Sequence, residues 1–106
     1  MNEIIHYLTP EGKDLYQNWL NGLNDRIAKA RITARVNRVA AGAFGDCKPV
    51  DGGVWEFRID QGSGYRVYYA LTGKKVVLLL LGGDKRTQQA DINKAIECWK
   101  DFQRRK

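Results

Sequence analysis

Residues 55–70, WEFRIDQGSGYRVYYA, put four chemically useful side chains on one face of a predicted β-hairpin. Polar and apolar residues alternate on both sides of a glycine-rich turn, which is the pattern of two adjacent strands. Alternation places Glu56 and Arg58 on the first strand, and Arg66 and Tyr68 on the second, away from the apolar residues. Two guanidinium groups on one face suit an anion, because arginine binds phosphate through paired hydrogen bonds. A carboxyl and a phenol group beside them could transfer protons.

The same side chains also have structural explanations. A glutamate beside an arginine most often forms a salt bridge, so Glu56 need not act as a base. A tyrosine in a strand is packed or partner-facing as often as it is an acid, and this applies to Tyr68. Solubility alone would be served by any charges, so two arginines on one side favour an anion.

Three further arginines lie on one side of a helix predicted over residues 26–43. Arg31, Arg35 and Arg38 recur at i, i+4 and i+7, which brings their side chains together. Such a row either is a solvated helix face or contacts a phosphate backbone or an acidic partner. The net charge of +6, from 18 Lys+Arg and 12 Asp+Glu, favours a polyanionic partner.

The elements that position these side chains follow the order β-α-α-β-β-β-α, which predicts an α+β fold with an antiparallel sheet packed against helices. All 106 residues fit one domain, 1–106. Gly82-Gly83 is expected to stop the last strand, and Trp99 of the last helix is expected to pack against Trp55 or Phe57. The predicted elements are a strand at 3–8, helices at 10–23 and 26–43, a loop at 44–53, the hairpin, a strand at 76–81 and a helix after Thr87.

Composition excludes several classes of protein. No apolar run approaches the ~20 residues of a membrane span, so no membrane contact is expected. The start, MNEIIHYLTPEG, lacks the basic and longer apolar regions of a signal peptide, which predicts a cytoplasmic protein. Cys47 and Cys98 form no CxxC pattern, so we expect free thiols, no metal and no cofactor.

Two segments together resemble a known family. VWEFRIDQGSGYRVYYA at 54–70, LLLLGGDKRTQQADINKA at 78–95 and the order of the elements are similar to the RelE/ParE superfamily of toxins. The best match is the HigB-like branch, the addiction-module killer proteins. The resemblance runs over almost the whole chain.

The resemblance implies a RelE-like fold and a toxin of a toxin–antitoxin pair. Toxins of the RelE-like type enter the ribosomal A site and cleave mRNA without a metal or cofactor. The 2′-hydroxyl attacks the adjacent phosphate, which leaves a 2′,3′-cyclic phosphate and a free 5′-hydroxyl. The implied partners are the ribosome, mRNA and a cognate antitoxin, often a helix-turn-helix protein. The alternatives are a ParE-like DNA gyrase inhibitor that acts by binding, and a degenerate member that mainly binds its antitoxin.

The resemblance also assigns residues. Arg66 matches the arginine of the family's GYR motif, Arg58 occupies the basic position on the preceding strand, and Lys85 the one after the last strand. Many RelE-like nucleases carry a tyrosine or histidine near the start of the final helix, and residues 82–95 contain neither. Glu56 and Tyr68 are therefore the acid–base candidates. The RNA-binding candidates are Arg86, Arg31, Arg35 and Arg38, whereas His6 is a minor catalytic candidate and Asp84 is expected to be a turn or capping residue.

Overall fold

A five-stranded sheet with helices on both faces forms the body of the computed structural model, which describes residues 1–105. The strands lie in the order β1-β5-β4-β3-β2, and only the β1–β5 pair is parallel among the described strands. This confirms the predicted α+β fold. Strand β1 lies at one edge, parallel to β5, and the two helices that follow it lead to β2 at the other edge. The elements are β1 (Glu3–His6), α1 (Leu15–Asn21), α2 (Arg26–Ala40), β2 (Cys47–Pro49), β3 (Trp55–Ile59), β4 (Tyr65–Leu71), β5 (Val76–Asp84), a 3₁₀ turn (Lys85–Thr87) and α3 (Gln88–Arg105).

The central strands are buried on both faces of the sheet. Helices α1 and α2 cover one face, where Ile32 packs with Phe57 and Val67. Helix α3 covers the other face, where Ile92 lies in a cluster with Tyr68. The side of the hairpin that alternation marked as polar therefore lies partly beneath α3, and this decides the environment of its charged residues.

Two helix boundaries differ from the prediction. Helix α1 begins at Leu15 and not at Pro10, because Asp14 caps it by accepting a hydrogen bond from the Gln17 amide at 3.0 Å. Residues 10–13 instead belong to a turn that Leu8 and Asp14 close by a β-bridge. Helix α2 ends at Ala40, and part of the predicted loop that follows forms the short edge strand β2.

Gly82 and Gly83 do not stop the last strand, because β5 continues through them to Asp84. Each glycine lets a helix approach the sheet. A Cβ on Gly82 would overlap the ring of Trp19 in α1, and a Cβ on Gly83 would overlap the carboxylate of Asp91 in α3. The two glycines therefore serve close packing on opposite faces of one strand.

The predicted contact of Trp99 with Trp55 or Phe57 is wrong. Those two residues face α1 and α2, whereas Trp99 lies on α3 at the other face. Trp99 is half-buried, stacks on Phe102 with ring centroids 5.9 Å apart, and lies against Gly53.

Both cysteines are free thiols, as predicted, with Cys98 buried in α3 and Cys47 half-buried on β2. Within residues 1–105 no helix has the length and apolar character needed to cross a bilayer. The same residues contain no group of three or more His, Cys, Asp or Glu side chains that could hold a metal ion.

Candidate functional site

Two adjoining cavities form a groove along the β3–β4 hairpin and α2. The hairpin cavity has a volume of about 270 Å³, and the helix cavity one of about 350 Å³. They share Ile59 and Asp60, so we treat them together as the arginine groove. The hairpin cavity is lined by Asp46, Arg58, Ile59, Asp60, Gly64, Tyr65 and Arg66, and the helix cavity by Arg31, Ala34, Arg35, Arg38, Ile59 and Asp60.

Arg58 and Arg66 are directly opposite each other in the β3–β4 register. Like charges at such a position repel, so each guanidinium needs an acidic neighbour. The Nε of Arg58 lies 3.5 Å from an Asp46 carboxylate oxygen, and the Nε of Arg66 lies 3.6 Å from Glu56. The predicted pair of arginines is thus brought together, and both side chains line the hairpin cavity.

The carboxylate of Glu56 lies inside the protein, next to the buried Nε of Arg66. The Glu56 side chain is fully buried, and Gln88 at the start of α3 donates a hydrogen bond to its Oε2 at 3.0 Å. Within residues 1–105, Glu56 Oε1, Arg66 Nε and the Tyr68 hydroxyl have no hydrogen-bond partner. The carboxylate therefore fixes Arg66 by charge at its buried Nε, and the terminal nitrogens of the guanidinium are left as the donors for a ligand.

This burial contradicts the predicted acid–base roles of Glu56 and Tyr68. Both side chains are fully buried under α3, so no RNA atom reaches them in this arrangement. Burial first, and then the neighbouring Glu56 carboxylate, raise the pKa of the Tyr68 hydroxyl well above its usual value. Alternation showed that the two residues share a face with the arginines, but it did not show that a helix covers that face.

Arg35 is a structural residue, contrary to its prediction as an RNA contact. Its Nε donates to the Phe44 carbonyl at 3.0 Å, and its two terminal nitrogens donate to the Arg58 and Asp46 carbonyls at 2.7 Å each. The guanidinium also lies over the Phe57 ring, 5.3 Å from its centroid. Arg35 thus ties α2 to the segment before β2 and to β3, and it supports the groove from below.

Arg31 and Arg38 remain exposed and line the helix cavity, as the spacing along α2 indicated. Their guanidinium groups extend the positive surface from the hairpin along α2. Because Arg35 is buried between them, two of the three arginines predicted on this helix face are exposed to a partner.

Lys85 and Arg86 lie at the same end of the sheet as the arginine pair. They follow Asp84, which is opposite Tyr65 in the β4–β5 register. Asp84 caps the 3₁₀ turn by accepting from the Arg86 amide at 2.9 Å, which confirms its predicted capping role. A hydrogen bond from the Arg86 side chain, also 2.9 Å long, lowers the pKa of Asp84. Lys85 is exposed beside this pair, outside the two cavities.

His6 lies away from the groove. It is on β1, at the opposite edge of the sheet, where its Nδ1 is 2.6 Å from an Asp14 carboxylate oxygen. Its ring also packs edge-on against Tyr16. These contacts assign His6 to the anchoring of α1.

Three polar or aromatic side chains that line the hairpin cavity were not predicted as site residues, namely Asp46, Asp60 and Tyr65. Alternation assigned Tyr65 to the apolar face, and it does pack partly against the α1 side of the core. It is also the first residue of β4, next to the turn of the hairpin. Its position directly before Arg66 was the signal that could have identified it.

Comparisons with known protein sequences identify the family of this chain. Residues 18–100 match the family described as Phage derived protein Gp49-like (DUF891). A protein of Haemophilus influenzae, itself described as uncharacterized, is 49% identical over 80 residues, which cover 76% of this chain and 81% of that protein. The chain therefore belongs to the Gp49-like family, whose members are toxin-like proteins of the RelE/HigB type.

Proposed function

We propose that this chain is the toxin of a toxin–antitoxin pair, in the HigB-like branch, and that it cleaves mRNA in the ribosomal A site. Membership of a toxin-like family supports the toxin–antitoxin context. The observation that carries the proposal is the Arg58–Arg66 pair, which lies across two strands at the wall of one cavity. Two guanidinium groups on directly paired residues that line one cavity suit the phosphate between two nucleotides.

The reaction forms one P–O bond and breaks another, while one proton leaves the 2′-hydroxyl and one reaches the 5′-oxygen. The 2′-hydroxyl loses its proton and attacks the adjacent phosphorus, the P–O5′ bond breaks, and the 5′-oxygen takes up a proton. Negative charge grows on the non-bridging oxygens of the phosphate during this step. Arg66, held by Glu56, and Arg58, beside Asp46, supply cationic donors where that charge develops.

The other exposed basic residues, inside and outside the groove, position the RNA in this proposal. Arg31 and Arg38 lie along α2 beyond the hairpin cavity, and Lys85 and Arg86 lie at the end of β5. Contacts of this kind fix the register of a polynucleotide without reading its sequence. In this proposal the cognate antitoxin, a helix-turn-helix protein, inhibits by covering the same positive surface with an acidic or amphipathic segment.

A second function is a gyrase inhibitor that acts by binding alone. The burial of Glu56 and Tyr68 favours it, because a toxin that only binds needs no accessible acid–base pair. The same observation is compatible with a degenerate member that mainly binds its antitoxin. Induction of the chain in a bacterium separates these functions from cleavage.

The experiment maps the 5′ ends of mRNA after induction of three chains: wild type, Arg58→Ala and Arg104→Ala. Arg58 is the better position to change, because its side chain is 46% exposed and its removal leaves no buried charge unpaired. Arg104 is the matched control, since it is exposed on α3 and its contact with Asp101 spans 3.9 Å. We expect cuts within codons, bearing 5′-hydroxyl ends, from wild type and Arg104→Ala but not from Arg58→Ala.

Other outcomes contradict the proposal. Intact mRNA together with DNA damage would support the gyrase inhibitor. Intact mRNA, undamaged DNA and normal growth would support the degenerate member.

A further inference from the structure

The hairpin cavity is not a uniformly positive site. Besides Arg58 and Arg66 it is lined by two carboxylates, Asp46 and Asp60, and by the aromatic ring of Tyr65. Carboxylates repel a phosphate, so a site for a bare phosphate would not favour them. A ligand that carries an anionic group, hydrogen-bond donors and a flat ring together fits all five side chains.

Tyr65 lines this cavity and is held in place by a contact with α1. It is half-buried, and its ring packs against Trp19 of α1 with centroids 6.3 Å apart and planes inclined at 60°. Trp19 is fixed in turn against Gly82 of β5. A ring supported in this way gives up little freedom when a second ring stacks on it.

The turn of the hairpin places glycines next to Tyr65 and Arg66. Gly62 and Gly64 both adopt positive φ angles, of 58° and 87°. A Cβ added at Gly62 would lie 3.8 Å from the Tyr65 ring, so a larger residue would extend over its edge. The two glycines thus allow the tight turn and keep side chains out of the cavity.

Asp60 supplies what a stacked base needs at its edge. It is exposed, lines both cavities and forms no ion pair within residues 1–105. A free carboxylate accepts hydrogen bonds from the exocyclic amino groups and ring N–H groups of nucleobases. Asp46, in contrast, is within 3.5 Å of Arg58.

We infer that Tyr65 stacks on a nucleobase next to the phosphate that Arg58 and Arg66 bind, with Asp60 facing the edge of that base. This inference rests on the proposed function and gives it a substrate feature, because the site then takes a nucleotide and not a phosphate alone. Stacking is tolerant of sequence, since every base has a flat face. Asp60 would favour bases that present a donor.

The test measures, by fluorescence anisotropy, how tightly the full chain binds short single-stranded RNA. The probes are a 2′-O-methylated oligonucleotide, which cannot be cleaved by its own 2′-oxygen, and oligonucleotides of the same length without bases. The variants are Tyr65→Leu, which keeps an apolar contact with Trp19, and Tyr65→Phe, which keeps the ring. A thermal melt of each variant checks that it is folded.

We expect Tyr65→Leu to weaken binding of the RNA that carries bases on the order of 10-fold, while its binding of the abasic RNA stays at the wild-type value. Tyr65→Phe should bind both probes within about twofold of wild type, since the stacking ring is retained. Equal binding of the base-bearing RNA by Tyr65→Leu and wild type would overturn the inference. So would an equal loss for both probes, or a wild-type chain that does not distinguish them.

These failures are separate from a failure of the proposed function. Cleavage within codons that persists in cells would keep the nuclease and remove only the role of Tyr65. Absence of cleavage in cells would overturn the nuclease whatever the oligonucleotides show.

Discussion

Two arginines of this protein are buried to the same extent and have opposite environments. Arg35 and Arg66 are each 8% exposed. Arg35, between α2 and β3, donates hydrogen bonds to three carbonyl groups. Arg66, on β4, donates no hydrogen bond within residues 1–105 and is held by the charge of Glu56 at 3.6 Å.

The difference shows that burial alone does not assign a role to an arginine. Each of the three nitrogens of Arg35 donates to the backbone and the side chain is buried, so this residue stabilises the fold and is poorly placed to bind a ligand. Arg66 keeps its donors and lines a cavity, so it can bind an anion without breaking an existing hydrogen bond. Counting hydrogen bonds, rather than exposure, separates the structural arginine from the candidate catalytic one.

The largest effect on stability is expected at Arg35. Arg35→Met should lower the free energy of unfolding by about 5 kcal/mol, because three carbonyls lose a charged donor. The melting temperature should then fall by more than about 10 °C. Circular dichroism during thermal and urea denaturation measures both quantities.

The matched control is Arg31→Met on the same helix. Arg31 is exposed, so its replacement should change the free energy of unfolding by no more than about 0.5 kcal/mol. If Arg35→Met were as stable as Arg31→Met, the three hydrogen bonds would contribute nothing and the comparison would fail.

A smaller effect is expected at Arg66, and it depends on Glu56. Arg66→Met leaves the Glu56 carboxylate buried without its cation, which should cost about 3 kcal/mol. Adding Glu56→Gln removes that charge, so the double variant should regain a large part of the loss. A double-mutant cycle in urea measures the coupling. Losses that simply add would show that Glu56 does not hold Arg66.

Local patterns in the sequence predict the hairpin well. The alternation on both sides of the glycine-rich turn indicated the strands and placed Arg58 and Arg66 on one face, where the structure pairs them directly. The resemblance to a toxin family likewise predicted the α+β fold and the family type. The strands depend on short-range periodicity and the family resemblance on short motifs, and a single sequence contains both.

Features that depend on which helix covers which face were not predicted. Alternation cannot show that α3 lies over Glu56 and Tyr68, because a polar residue under a helix and one in solvent have the same spacing. Spacing also placed Arg35 with Arg31 and Arg38, whereas the carbonyls that occupy it come from distant parts of the chain. Gly82 and Gly83 were interpreted as a strand end because their contacts with α1 and α3 are long-range.

The central claim is that the Arg58–Arg66 pair binds the phosphate that is cleaved. Its most direct test is the single-turnover rate of A-site mRNA cleavage on programmed ribosomes, at saturating toxin, for wild type, Arg58→Ala, Arg66→Lys and Arg104→Ala. We predict that Arg58→Ala lowers the rate on the order of 10²–10³-fold. Arg66→Lys should keep part of the rate, because lysine retains the charge without the paired donors, and Arg104→Ala should match wild type. Folded Arg58→Ala and Arg66→Lys chains that cleave as fast as wild type would contradict the claim.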